Sequence, residues 1–307
     1  MVVEFKIVTG RCIVLGSISY ANGKPKFSAG IPAFVLIDML RSIHYGLPPT
    51  MTRSELLSRS APLNNDYNAI YTNIVLKSLP PPKDMGLDGA FLALVAILGD
   101  IHALATVFHP LAIAEEHKSD NGNGNPTAGD VLFRNPYLPF SPENENRQVH
   151  QRLQQALNIW SQSYLLVAGK DIAALFYFCK MYLSIPSLSL LPIIVGYSSS
   201  WGHSSLVARE SKLVDSGLYD DSEALKNAWR ILENVGHSSE LTPVWFPIVL
   251  FYASLVVWRM INSNTNSGPN GAHLSLRVLQ LFKIELEQME WPCCITMAET
   301  LGRLMAG

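Results

Sequence analysis

Two stretches of this sequence, Gly89 to Ala114 and Val244 to Met260, are apolar on nearly every side when wound as helices. No other feature constrains the fold as much, because a helix without a polar face must be covered all round, by other helices or by lipid. The longest apolar runs fit a bilayer poorly, since a span needs about 20 uninterrupted apolar residues. Gly89 to Ala114 carries Asp100 and His102 at its middle, Ile172 to Val195 carries Lys180, Pro186 and Pro192, and Pro247 to Ile261 is short and includes Arg259 near its end. These runs are expected to be buried helices at the centre of a large bundle rather than membrane spans. The start, MVVEFKIVTGRCIVLG, places Glu4 where a secretion signal has only positive charge, so none is expected.

Composition supports a large core. Of 307 residues, 48% are apolar and 16% are charged, against about 25% charged in typical soluble domains, which excludes disorder over most of the length. Lys and Arg number 23 against 25 Asp and Glu, a net charge of −2. Without a basic excess to neutralise phosphates, the chain is not expected to hold DNA or RNA by itself.

Helical periodicity prevails elsewhere. Val149, Leu153, Ala156, Leu157, Trp160 and Tyr164 fall on one face of a helix between Ser141 and Gly169, with Ser141 before Pro142 as its start signal. Ser28 is the expected cap of a helix through Phe34, Ile37, Leu40 and Ile43 that ends at Gly46, and Asp66 of one through Tyr67, Ile70, Tyr71 and Ile74. The long apolar helix is expected to begin near Asp88 and to run to Glu116 with a kink at Pro110. Leu225, Ala228, Trp229 and Leu232 form a stripe within Asp221 to Val235, and Leu274, Val278, Leu279, Leu281, Phe282, Leu286 and Met289 form another. Strand signals are thin: only Glu4 to Tyr20 is rich in β-branched residues, without clean alternation. The expected fold class is therefore all-α. Residues 1–24 are expected to be a separate segment, either disordered or the product of a misplaced start, ahead of a helical domain over 25–307 with a flexible loop at about 118–140 built around Asn-Gly-Asn-Gly-Asn-Pro.

Chemical motifs are weak. Gly202-His203-Ser204-Ser205-Leu206 lacks the final glycine of a nucleophile elbow and has no strand–turn–helix pattern around it. His102 and His109 lie seven apart, with Glu115, Glu116 and His117 following, whereas a helical metal site needs ligands about one turn apart. Gly122-Asn123-Gly124-Asn125 has no lysine and no preceding strand, as a phosphate loop requires. Cys12, Cys179, Cys293 and Cys294 suit neither a disulfide framework nor a zinc module and read as core fillers in a reducing compartment, with a vicinal redox pair at Cys293-Cys294 as the other option. An enzyme or small-molecule binder with an apolar pocket between helices is the rival reading. Its candidate residues, for an effector or a partner, are His102, His109, Trp245 and Trp258.

Four blocks carry a resemblance that composition does not reach. They are His44-Tyr45-Gly46-Leu47-Pro48-Pro49 through Glu55; Ala156-Leu157-Asn158-Ile159-Trp160; Leu175-Phe176-Tyr177 through Tyr182-Leu183-Ser184-Ile185-Pro186-Ser187-Leu188 to Gly196-Tyr197; and Leu286 to Pro292 leading into Cys293, Met297, Leu301 and Leu304. In order and spacing they resemble the later part of the regulatory domain of fungal-specific transcription factors, over about residues 25 to 307; Ala61-Pro62-Leu63 departs slightly from that family's Leu-Pro segment. The resemblance implies an all-α regulatory domain of a nuclear factor that controls RNA polymerase II transcription. It implies contacts with other parts of the factor, with co-regulators or with an effector, and a possible homodimer, without a membrane and without catalysis. The family binds DNA through a zinc-cluster or two-cysteine two-histidine finger; this sequence holds neither, so no zinc or other cofactor and no DNA contact is assigned to any residue here.

Overall fold

The computed structural model describes residues 2–9, 12–21, 24–25, 30–45, 49, 61–82, 85–108, 142–197, 220–235, 242–263 and 269–306. From residue 30 onward every described element is helical. The helices are α1 (Gly30–Tyr45), α2 (Ala61–Tyr71), α3 (Leu87–Ala103), α4 (Pro142–Tyr164), α5 (Lys170–Ser184), α6 (Leu191–Ile194), α7 (Asp221–Glu233), α8 (Phe246–Ser263), α9 (Pro269–Gln288) and α10 (Pro292–Ala306). Ahead of them, β1 (Val2–Thr9) pairs antiparallel with β2 (Cys12–Ala21), with Val2 opposite Ser19 and Thr9 opposite Cys12, and β2 pairs with the short β3 (Lys24–Pro25). These strands lie where the β-branched residues gather.

The two all-apolar helices are buried, each as its own hub. Every side chain from Val249 to Val257 on α8 is buried, and so are Ala90, Leu92 to Val95, Ile97, Leu98 and Ile101 on α3. Around α3 pack α1, α2, α4 and α5; around α8 pack α5, α6, α7, α9 and α10. Helix α5, buried along most of its length from Ala173 to Leu183, joins the two hubs and is tied to α7 by the Lys180–Glu223 ion pair at 3.1 Å. Leu87–Thr106 is long and apolar enough to cross a bilayer, but 67% of that stretch is buried inside the protein. Four helices occupy the positions that lipid would take.

Local chemistry sets the boundaries, in places against expectation. Asp66 does not cap α2, which already starts at Ala61-Pro62, proline being preorganised for a first helical turn. Its carboxylate lies near the start of α3 instead: a methyl group added at Gly86, the cap residue, would sit 3.7 Å from Asp66 Oδ2. There a negative charge complements the helix dipole. Asp220, one residue ahead of the expected start, caps α7 by accepting from the Glu223 backbone N–H at 2.9 Å. Helix α4 ends at Tyr164 rather than Gly169, and α3 passes at Leu104 into a π-helical turn, Leu104–Phe108, where the Thr106 hydroxyl donates to the His102 carbonyl at 2.7 Å. A second π-helical turn, Thr72–Leu76, extends α2 and is followed, after its cap residue Lys77, by Ser78, whose φ of 54° is left-handed. Two stripes also turn differently: Ala224, Asn227, Ala228 and Ile231 face inward on α7 while Trp229 is 36% exposed, and on α9 Leu279, Phe282 and Leu286 are buried while Leu281 is 48% exposed. Ser28, Gly46, Pro110, Glu116, Ser141 and the loop at 118–140 lie outside the described residues.

Helices α2 and α3 approach so closely at Gly89 that an added Cβ would stand 2.9 Å from Asp66 Cβ and 3.4 Å from the Tyr67 backbone nitrogen. Gly89→Ala is therefore expected to destabilise by about 1–2 kcal/mol, the overpacking penalty outweighing alanine's better helix propensity. Gly99 makes the control, because its added Cβ would meet only the flexible tip of Met39, at 3.0 Å. Urea midpoints should drop for Gly89→Ala and change little for Gly99→Ala.

Candidate functional site

His102 sits in the last turn of α3, where α1 and α5 converge on it. Its Nδ1 lies 2.8 Å from the Tyr182 hydroxyl of α5 and its Nε2 3.3 Å from the Ser42 hydroxyl of α1. Ser42 and Tyr182 are 0% exposed and His102 is 9% exposed. Next to this cluster, His44 of α1 meets α8: its Nδ1 is 3.4 Å from the Tyr252 hydroxyl, and its ring makes edge contacts with Tyr45, Tyr197 and Tyr252. Burial disfavours the charged form of each group. It lowers both imidazoles from 6.5 to about 4 and pushes the Tyr182 and Tyr252 phenols above their ordinary range, with Tyr182, Tyr197 and Tyr45 adding like-charge repulsion at Tyr252. All these side chains are neutral at pH 7.

The order Ser42–His102–Tyr182 has the outline of a nucleophile, a base and an orienting group, but it is not equipped for that chemistry. Its third member is a neutral phenol rather than a carboxylate, so an imidazolium formed at His102 would gain no counter-charge. A fully buried Ser42 also gives a substrate nothing to approach. What the cluster does is join three helices through a hydrogen-bonded core whose members satisfy one another.

The other candidates fall elsewhere. Trp245, 3% exposed, stands just ahead of α8 with its ring 6.4 Å from Phe91 in the first turn of α3, which is about 16 Å along that helix from His102. Trp258 is partly buried on α8, about 20 Å along the chain axis from Trp245 at helical rise. His109 lies outside the described residues. His102, Trp245 and Trp258 therefore do not line one pocket. The described groove, about 390 Å³, is lined by Pro80, Pro81, Pro82, Met85, Leu87, Ser163, Tyr164 and Val167, none of them a candidate.

Sequence reading missed Ser42, His44, Tyr182 and Tyr252 as a group. A usable signal existed: histidines and tyrosines in the middle of apolar helices need partners, and His44 and Tyr182 both stand in blocks singled out for another reason. Of the cysteines, Cys179 and Cys294 are buried, and burial holds the Cys179 thiol above its ordinary range, as fits a core filler. Among the described residues no group of three or more His, Cys, Asp or Glu side chains converges as a metal site would require. Comparison with known proteins finds no match: no family model fits the chain, and no curated protein and no solved structure is significantly similar to it.

Proposed function

We propose that this chain is a regulatory domain of the fungal-specific transcription factor type, acting in the nucleus on RNA polymerase II transcription through contacts with co-regulators, with other parts of the factor or with an effector. The observation that carries the reading is how its motif residues are used. Ala156, Leu157 and Trp160 are fully buried on one face of α4, with the Trp160 indole N–H donating to the Ala90 carbonyl of α3 at 2.9 Å. The Ile185-Pro186-Ser187-Leu188 turn ends α5 and buries all four residues, and Trp291-Pro292 breaks α9 from α10 while the Trp291 N–H reaches the Thr242 carbonyl at 3.0 Å. These three blocks thus mark helix contacts or helix ends that shape the bundle, while most of the His44 to Glu55 block lies outside the described residues. An all-α body with its polar clusters closed to solvent also suits a domain that works by its outer surface rather than by turnover.

Fusing the whole chain to a heterologous DNA-binding module supplies the test. The fusion is expected to change transcription of a reporter bearing that module's site several-fold, in a direction the fold does not set, relative to the module alone. A folded fusion that leaves the reporter unchanged would reject the proposal, and so would sequence-selective nanomolar binding of duplex DNA by the chain on its own in a gel shift at physiological salt.

A further inference from the structure

We propose that α1 is an acid-released latch: Ser42 to His102 and His44 to Tyr252 fasten its C-terminal half to the bundle, and protonation of the two imidazoles frees α1 while the α3–α5–α8 body stays folded. Two imidazole links join α1 to α3 and to α8; elsewhere among the described residues His150 of α4 meets the Leu183 carbonyl of α5 at 3.2 Å. Ser42 reaches the His102 imidazole of α3 and the His44 imidazole of α1 reaches Tyr252 of α8, while α1 packs chiefly on α3, with Leu36, Leu40 and Ile43 fully buried and Met39 over Gly99. Helices α3, α5 and α8 are each held by several neighbours. Losing α1 leaves the second hub and the joining helix with their packing.

The groups facing the two rings are hydroxyls, not counter-charges. His102 faces Ser42 of α1 and Tyr182 of α5, whose hydroxyl also bonds Ser189; His44 faces Tyr252 of α8, Tyr197 beyond α6 and its own neighbour Tyr45. The charged side chains nearby are engaged with other groups: Asp38 pairs with Arg41 at 3.2 Å on α1, and Asp100 of α3 accepts from the Tyr71 hydroxyl at 2.6 Å. Among the described residues no carboxylate is hydrogen-bonded to either ring. A proton on either imidazole therefore places an unbalanced charge in the α1 seam, and departure of α1 is the smallest movement that returns both rings to water.

Hydrogen exchange on the full chain at pH 7 and pH 5, corrected for the intrinsic pH dependence of exchange, reads this directly. With both rings held near 4 against 6.5 in water, the opening equilibrium of α1 is expected to rise about twenty-fold per histidine from pH 7 to pH 5, and about five-hundred-fold for the two together. Peptides from α5 and α8, which exchange only when the whole domain unfolds, should lose protection in step with global stability yet remain far better protected than α1 at both pH values. A double variant, His44→Phe with His102→Gln, should lose the acid response of α1; His44→Phe alone, which keeps a ring against Tyr197 and Tyr252, should lose about half of it on a logarithmic scale and serves if the double variant does not fold. Equal α1 protection at the two pH values, α1 protection no lower than that of α5 and α8 at pH 5, or a wild-type response in the variants would each overturn the proposal.

Discussion

Trp160→Ala is expected to cost about 3–5 kcal/mol, a large share of the roughly 5–15 kcal/mol that holds a domain together. Three contributions are lost at once. The indole is fully buried; it lies 5.5 Å from the Phe176 ring of α5 at an interplanar angle of 14° and 5.8 Å from Tyr164; and its N–H is bonded across to the Ala90 carbonyl of α3. One side chain therefore joins α3, α4 and α5, and the void it leaves lies among three helices that are each fixed by other contacts and cannot close over it. Trp160→Phe keeps the aromatic contact but not the hydrogen bond and should cost about 1–2 kcal/mol. Urea unfolding of the three proteins measures both steps. A loss below about 1 kcal/mol for the alanine variant would show that the junction can collapse and that α4 is held from elsewhere.

That residue was legible from spacing alone, and the reason separates what a single sequence reveals here from what it hides. Helix α4 has a strongly polar outer face, so the apolar positions from Val149 to Tyr164 fix its rotation without knowledge of any partner. Helices α3 and α8 are apolar all round, so burial could be read but not which neighbour each residue meets. Helix α9 is ambiguous in the opposite sense: with Leu276, Leu281 and Ile284 exposed beside a buried Leu279, Phe282 and Leu286, its apolar arc is wider than its contact, and an average over the arc puts Leu281 on the wrong side. Trp229 misleads likewise, because the small Ala224 and Ala228 let α7 approach α5 and α8 closely on their own face. The polar cluster was out of reach for a different reason. His102 finds Ser42 at a sequence distance of 60 and Tyr182 at 80, contacts that depend on how α1 and α5 are laid over α3 and leave no local pattern.

Acidification from pH 7 to pH 4 is expected to remove about 3 kcal/mol of global stability through His102 alone. Above 6.5 the imidazole is neutral whether the chain is folded or not, so it adds no pH dependence there. Below 6.5 the unfolded chain takes up a proton that the folded chain refuses until about pH 4, and each unit of that gap is worth about 1.4 kcal/mol. Stability is thus full above 6.5, falls through the window and levels off near its lower edge; His44, lowered to about the same value, acts in the same sense. Glu223 contributes separately and lower down. Lys180, through its hydrogen bond and charge, with help from Asn227 and Lys226, outweighs the desolvation that opposes it and holds this carboxyl below 4.5, so its stabilisation is present above that value and is lost as the pH falls beneath it. The two windows can be told apart by substitution. His102→Gln should be less stable than wild type at pH 7 by about 1–2 kcal/mol, having a less complementary partner for Tyr182, yet should lose less stability between pH 6.5 and 4. Glu223→Gln should alter the profile only at its acid end. Unfolding free energies from urea titrations across this range decide the matter: a wild-type profile that is flat between pH 6.5 and 4.5, or an unchanged slope in His102→Gln, would show that the His102 ring is already open to water in the native state.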